Sequence, residues 1–174
     1  MKPSVYKIHT KLRAFPPAHG VYILYRRLQE HGLRPTWLWI KDKIVRRTVG
    51  FSIPSLSKVA PYIYVGGQYR RKGLDRMRKL GITASLNLRE ESDDAERGLL
   101  LDAYLWLSIT DDAAPSLEEL SRGVTFIENQ VAEDRGVYIH CASGVGRAPT
   151  MAAAYFVACG ADPEKAWNII RRTR

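Results

Sequence analysis

Residues 136–160, GVYIHCASGVGRAPTMAAAYFVACG, constrain the fold of this chain more than any other stretch. A short apolar run, bounded as strands are, ends in a turn of small residues. The Ala-rich run that follows has Pro149 in its first turn and Gly160 at its stop, the marks of a helix. The alternation recurs upstream. KVAPYIYVGG (58–67) reads as a strand stopped by two glycines, and GLDRMRKLGI (73–82) as a helix with Leu74, Met77 and Leu80 on one face and Gly81 as its stop. TASLNLRE (83–90) is a second strand, ESDDAERG (91–98) a turn or short helix, and AYLWLSI (103–109) a third strand. Ser116 and Glu119 form a capping box ahead of a helix whose positions Leu117, Leu120, Val124, Ile127 and Val131 are apolar. GVYIH is the fourth strand, and Asp162 and Pro163 open the last helix. Strands alternating with helices predict an α/β fold, a mainly parallel central sheet flanked by helices. Its sites should lie where loops leave the carboxyl ends of strands.

The charge is distributed unevenly. Of the net +9, residues 1–50 carry the whole excess, with eleven Lys or Arg against Glu30 and Asp42, while residues 51–174 balance sixteen against sixteen. The chain therefore divides into a basic helical N-terminal extension (1–53) and a charge-balanced domain (54–174). Within the extension, AHGVYILYRRLQEH (18–31) has helical spacing at Val21, Leu24, Tyr25 and Leu28. An asymmetric basic segment is either a solvated arm or a surface for something anionic, such as a membrane or an acidic partner. No apolar run reaches 18 residues and no secretory signal pattern opens the chain. Two cysteines without a pairing pattern fit a reducing, cytoplasmic setting, with the protein peripheral at a membrane if the basic segment binds one.

The turn after the fourth strand can do specific chemistry. From Cys141 through Ala142, Ser143, Gly144, Val145 and Gly146, the backbone N–H groups converge at the positive end of the next helix, a concavity suited to a phosphate-sized anion. Gly144 and Gly146 are expected where a Cβ would obstruct the curl or the ligand. Arg147 supplies a planar fork for two phosphate oxygens. A free thiol titrating near ~8.5 falls to roughly 3.5–7.5 at a helix N-terminus beside a cation, which makes Cys141 a nucleophile set for in-line attack on phosphorus. The histidines show no ligand spacing, so no metal and no other cofactor is expected. Cys159, on the Ala-rich helix, reads as a small core residue.

The pattern His-Cys-x5-Arg between strand and helix resembles the signature of the protein tyrosine phosphatase superfamily, and the G-x-G-R ending is similar to its dual-specificity branch. YIYVGGQ, GITASLNLRE and SITDDAAPSLEEL resemble further parts of that domain, so the likeness covers about residues 58–172. The resemblance implies a phosphatase acting through a cysteinyl phosphate, with His140 structural and an aspartate as proton donor. Asp111 and Asp112 both fit. Asp111 is preferred, because the family's acid follows an apolar residue and one spacer, here Ile109 and Thr110. Many relatives have a hydroxyl after the arginine, where this chain has Ala148. The ending G-x-G-R-A-P is also similar to plant glucan phosphatases.

The implied substrate is a phosphorylated protein, on phosphotyrosine and also phosphoserine or phosphothreonine, or another phosphomonoester. Phosphoglucan, a phospholipid such as phosphatidylglycerophosphate, and a module that binds phosphate without turnover are the alternatives. Nucleic acid is disfavoured, because the neutral remainder of the chain shows no basic trail beside the loop. Tyr62, Tyr64, Tyr69, Tyr104 and Trp106 read either as core or as a sugar-binding surface.

Overall fold

A computed structural model of the chain describes residues 56–173 and ten positions between 25 and 48. The chain divides into two compact units, Met1–Asp42 and Lys43–Arg174. The extension expected over 1–53, and the helix expected over 18–31, lie for the most part outside the described residues. Tyr25, Leu28 and Gln29 are helical.

In chain order the second unit contains β1 (Ser57–Ala60), β2 (Ile63–Gly67), α1 (Arg71–Lys79), β3 (Ile82–Asn87), β4 (Ala103–Trp106), α2 (Leu117–Ala132), β5 (Gly136–Cys141), α3 (Arg147–Ala158) and α4 (Pro163–Thr173). The sheet order is β1-β2-β5-β3-β4. β2, β5, β3 and β4 run parallel, and β1 is antiparallel to β2 at the edge. The α/β architecture with a mainly parallel sheet is thus as expected. The single strand read over 58–67 is instead a hairpin. Pro61 has no N–H for the ladder and Tyr62 takes φ 62°, so the chain reverses there.

β5 lies in the middle of the sheet and all six of its residues are buried. Its period of two sorts them between two layers. Val137, Ile139 and Cys141 pack with Ile127 of α2, Met151, Ala152 and Phe156 of α3, and Ile170 of α4. Tyr138 faces the other way, into a smaller cluster with Tyr69, Leu74, Met77, Leu99 and Leu101. The small side chains Ala148, Ala152 and Ala153 are buried where α3 meets this core.

Helix ends differ in detail from the periodic pattern. The capping box forms: Glu119 N–H donates to Ser116 Oγ (3.2 Å) and Ser116 N–H to Glu119 Oε2 (2.7 Å). Leu117, in the first turn of α2, is exposed nonetheless. Leu80 is the C-cap of α1, off the helical path, and is about half exposed. Cys159 is a C-cap too, of α3, and is exposed rather than core. All three belong to terminal turns, where a periodic pattern outruns the surface that would bury it.

Candidate active site

Because β2, β5 and β3 are parallel neighbours, the loops at their carboxyl ends meet at one edge of the sheet. The loop after β5 is Ala142–Gly146, the one after β2 begins with Gln68, and the one after β3 holds Leu88–Asp102. Gln68 N–H donates to the carbonyl of Ala142 (3.1 Å), and Leu88 N–H to that of His140 (3.0 Å). The turn around the cysteine is thereby pinned from both sides.

Gly144 is required by its backbone. Its φ is +79°, and a Cβ there would lie 2.4 Å from the carbonyl carbon of Gly66. The obstruction comes from strand β2. At Gly146 φ is −103° and a Cβ would meet no protein atom within 4 Å, so neither a left-handed φ nor crowding by the protein demands glycine there. Cys141 is buried, and its Sγ accepts the N–H of Gly144 (3.3 Å). Ser143, Val145 and Gly146 are exposed on the rim, Ala142 is half-buried, and Ala148 is fully buried against the core.

Arg147 begins α3 with its side chain only 2% exposed. Nη1 donates to the carbonyls of Leu88 (3.1 Å) and Ile109 (2.8 Å) and to Glu91 Oε2 (3.0 Å). Nη2 donates to Glu91 Oε1 (3.2 Å) and lies 3.0 Å from Asp111 Oδ1. Nε is buried and has no hydrogen-bond partner among the described residues. A buried charged donor without an acceptor is costly unless a ligand supplies one. Burial alone would lower the arginine's pKa; hydrogen bonding to Glu91 and the charges of Glu91, Asp111 and Cys141 raise it instead. Glu91 shows the counterpart. Burial pushes its carboxyl up, but hydrogen bonds from Arg147 and Arg89 outweigh that and hold it at about 2.

Asp111 is the aspartate brought to the arginine, on a side chain 65% exposed and so open to solvent. Asp112 is exposed and takes φ 61° in the turn that follows. His140 is fully buried, stacked on Tyr138 (5.6 Å, 18°) and edge-on to Tyr69 (5.2 Å, 75°). Its Nε2 lies 3.0 Å from Asp94 Oδ2, with neither side chain exposed. The contact is not an aligned hydrogen bond. It is an ion-pair contact whenever the ring is protonated. Burial pushes the Asp94 carboxyl up, while the contact with His140 and the hydrogen bond from Gln68 Nε2 (2.8 Å) lower it, with a net decrease.

Glu91, Asp94 and Gln68 went unremarked in the sequence. Their signal is positional: the acidic run 91–98 leaves the carboxyl end of a strand, where a parallel sheet puts its sites. The aromatic residues do not share one surface. Tyr69 is buried with its hydroxyl donating to the carbonyl of Leu99, and Tyr104 donates to Asp93 Oδ1 (2.6 Å). Trp106 donates to the carbonyl of Arg89 (2.7 Å), while Tyr62 sits at the opposite end of β2.

Known proteins share this architecture. The family described as "Polymorphic toxin system, DSP-PTPase phosphatase" matches residues 64–161. Dual specificity protein phosphatase 5 of Rattus norvegicus is 28% identical over 101 residues, which are 58% of this chain and 26% of that protein. Phosphatidylglycerophosphate phosphatase PTPMT1 of Arabidopsis thaliana is 26% identical over 137 residues, 75% of this chain and 41% of that protein. The chain thus spans between about a quarter and two fifths of the length of these two relatives. Among solved structures, Tk-PTP in its active form superposes with a TM-score of 0.62 at 27% identity, covering 70% of this chain and 86% of that one. PTPMT1 in complex with PI(5)P shares the fold, with a TM-score of 0.60 at 23% identity over 67% of this chain and 81% of that one. The family match over more than half the chain, on the strand–loop–helix unit that seats Cys141 and Arg147, makes this chain a member of the protein tyrosine phosphatase superfamily, in its dual-specificity branch.

Proposed function

We propose that the chain is a cysteine-dependent phosphatase that hydrolyses phosphate monoesters. The observation carrying this reading is Arg147: a buried guanidinium whose two Nη groups make four hydrogen bonds to protein while its Nε is left without an acceptor among the described residues, directly after a loop that closes on a cysteine sulfur. A bound phosphoryl group supplies the missing acceptor, and the N–H groups of Ala142, Ser143, Gly144, Val145 and Gly146 line its seat. The Cys141 sulfur attacks phosphorus as the bond to the leaving oxygen breaks, and Asp111 gives that oxygen its proton. Water then attacks the phosphocysteine and returns a proton to Asp111, the S–P bond breaks, and inorganic phosphate leaves. Asp111 contacts Arg147 Nη2 before substrate arrives, so an incoming phosphoryl group takes over that donor and frees the carboxyl. Ala148 offers no hydroxyl at the turn, and Ser143 or a water serves the departing sulfur.

Hydrolysis of p-nitrophenyl phosphate, lost in Cys141→Ser, is the test. Undiminished turnover in that variant excludes the mechanism, and a wild-type protein that binds tungstate without turnover would be a phosphate-reading module instead.

The basic segment supports a role at an anionic surface, a membrane or an acidic partner. Leu33, Trp37 and Ile44 are helical and exposed in a part of the chain rich in Lys and Arg, the composition of a helix lying on anionic lipid. Among the described residues no helix is long and apolar enough to cross a membrane. Both cysteines are free, in keeping with a cytoplasmic setting.

A further inference from the structure

Beside the phosphate loop lies a second pocket, about 340 Å³, lined by Gln68, Arg70, Arg89, Glu91, Ser92 and Arg97. The sequence shows no basic trail near the cysteine, because these three arginines come from two separate loops. Folding gathers them. Two of the lining residues also belong to the catalytic edge: Gln68 donates its N–H to the carbonyl of Ala142, and Glu91 holds Arg147. The pocket and the phosphate loop are therefore adjoining compartments with a shared wall.

The arginines are not equally neutralised. Arg89 is satisfied internally, donating Nε to Glu91 Oε1 (2.8 Å) and Nη1 to Gln68 Oε1 (2.6 Å). Arg97 donates Nη1 to the neutral Ser92 Oγ (3.2 Å), and no carboxylate among the described residues pairs with Arg70 or Arg97. Two guanidinium charges are thus left over in a polar hollow.

Helix α1 adds an independent sign. Arg70 is its N-cap, no side chain caps it, and its first turn holds Arg71 and Lys72 with no acidic residue. Cations stacked on the positive end of a helix repel its dipole, the reverse of the arrangement that stabilises a helix, and an anion bound there relieves the conflict.

We propose that this pocket is a subsite for a second phosphoryl group, so that the favoured substrates are small molecules carrying two phosphates, one cleaved at Cys141 and the other held by Arg70 and Arg97. The inference rests on the phosphatase reading for which phosphate is cleaved, and on the pocket itself for which molecule binds. Paired guanidinium groups suit the second phosphate through charge-assisted, two-point hydrogen bonds.

The test is calorimetric binding of α,ω-alkanediol bisphosphates, with two to six carbons between the phosphates, to the full chain carrying Cys141→Ser. Each is compared with the monophosphate of the same alkanediol. At least one length should bind tenfold or more tightly than its monophosphate, and Arg70→Gln with Arg97→Gln should erase the difference. The same double substitution in the otherwise unaltered enzyme should leave kcat/KM for p-nitrophenyl phosphate within about twofold, which guards against a folding defect. A bisphosphate advantage absent at every length, or surviving the double substitution, overturns the proposal. It is overturned equally if anionic phospholipid vesicles, or a doubly phosphorylated peptide, depend on Arg70 and Arg97 while the bisphosphates gain nothing. Failure of the wild-type protein to hydrolyse p-nitrophenyl phosphate sinks the phosphatase reading alone, since the binding ratio requires no turnover.

Discussion

Replacing Glu91 by Gln removes the carboxylate that Arg147 and Arg89 share while keeping the side chain's size. The carboxyl sits at about 2 against its ordinary 4.5. At ~1.36 kcal/mol for each pH unit, that difference corresponds to roughly 3 kcal/mol. The side chain is 40% exposed, so solvent screening reduces the contribution to about 1–2 kcal/mol. The sign follows from the direction: a depressed carboxylate stabilises the fold at pH above its unfolded value and loses that contribution as pH falls from about 4.5 toward 2. Urea unfolding of wild type and Glu91→Gln should therefore differ by about 1–2 kcal/mol at pH 7, and converge near pH 2. In a thermal scan at pH 7 the gap should be about 2–8 °C, at roughly 2–4 °C for each kcal/mol. With its fork held only by two carbonyls and Asp111, Arg147 should also bind phosphate less well, and kcat/KM should drop at least tenfold. A stability difference that stays constant from pH 7 to pH 2 would refute the electrostatic account. Equal stability at pH 7 would refute it as well.

Further substitutions probe the loop and the proposed acid. Gly144→Ala forces a Cβ onto a left-handed residue, at roughly 1–2 kcal/mol, and drives it into the backbone of Gly66, so the total loss in urea unfolding should exceed about 2 kcal/mol. Gly146→Ala, with open space and a negative φ, should cost less than Gly144→Ala, by about 1 kcal/mol or more. Equal losses in the two variants would contradict the geometry. Asp111→Asn should lower kcat by about 10²–10⁴ on alkyl phosphates with poor leaving groups and far less on p-nitrophenyl phosphate. That pattern appearing in Asp112→Asn instead would assign the acid one residue later. Because Asp111 is exposed, its loss should cost under about 1 kcal/mol of stability.

What the chain declares locally was legible before folding. The alternation of period two and period three to four, the Ser116 capping box, and the small-residue turn at Cys141 each depend on residues a few positions apart, and from Ile63 onward they gave the right elements in the right order. The resemblance carried on HCASGVGR led to the family for the same reason, since one contiguous turn carries the motif. The misreadings fall where local pattern meets a long-range surface. Pro61 and Tyr62 turn a ten-residue run into a hairpin; Leu117, Leu80 and Cys159 keep an apolar register past the end of what they could pack against.

The tertiary structure alone decided the partners of the reactive groups. Glu91 and Arg147 are 56 residues apart, and Gln68 and Asp94 are 26 apart. No periodicity couples such pairs. They meet because β2, β5 and β3 lie parallel and side by side, which sets three distant loops at one edge and lets a buried guanidinium, a buried histidine beside Asp94 and a hollow of arginines gather there. Sequence therefore specified the strand, the turn and the helix of the proposed phosphate seat. Strand order, a property of the folded sheet, determined which charges surround it.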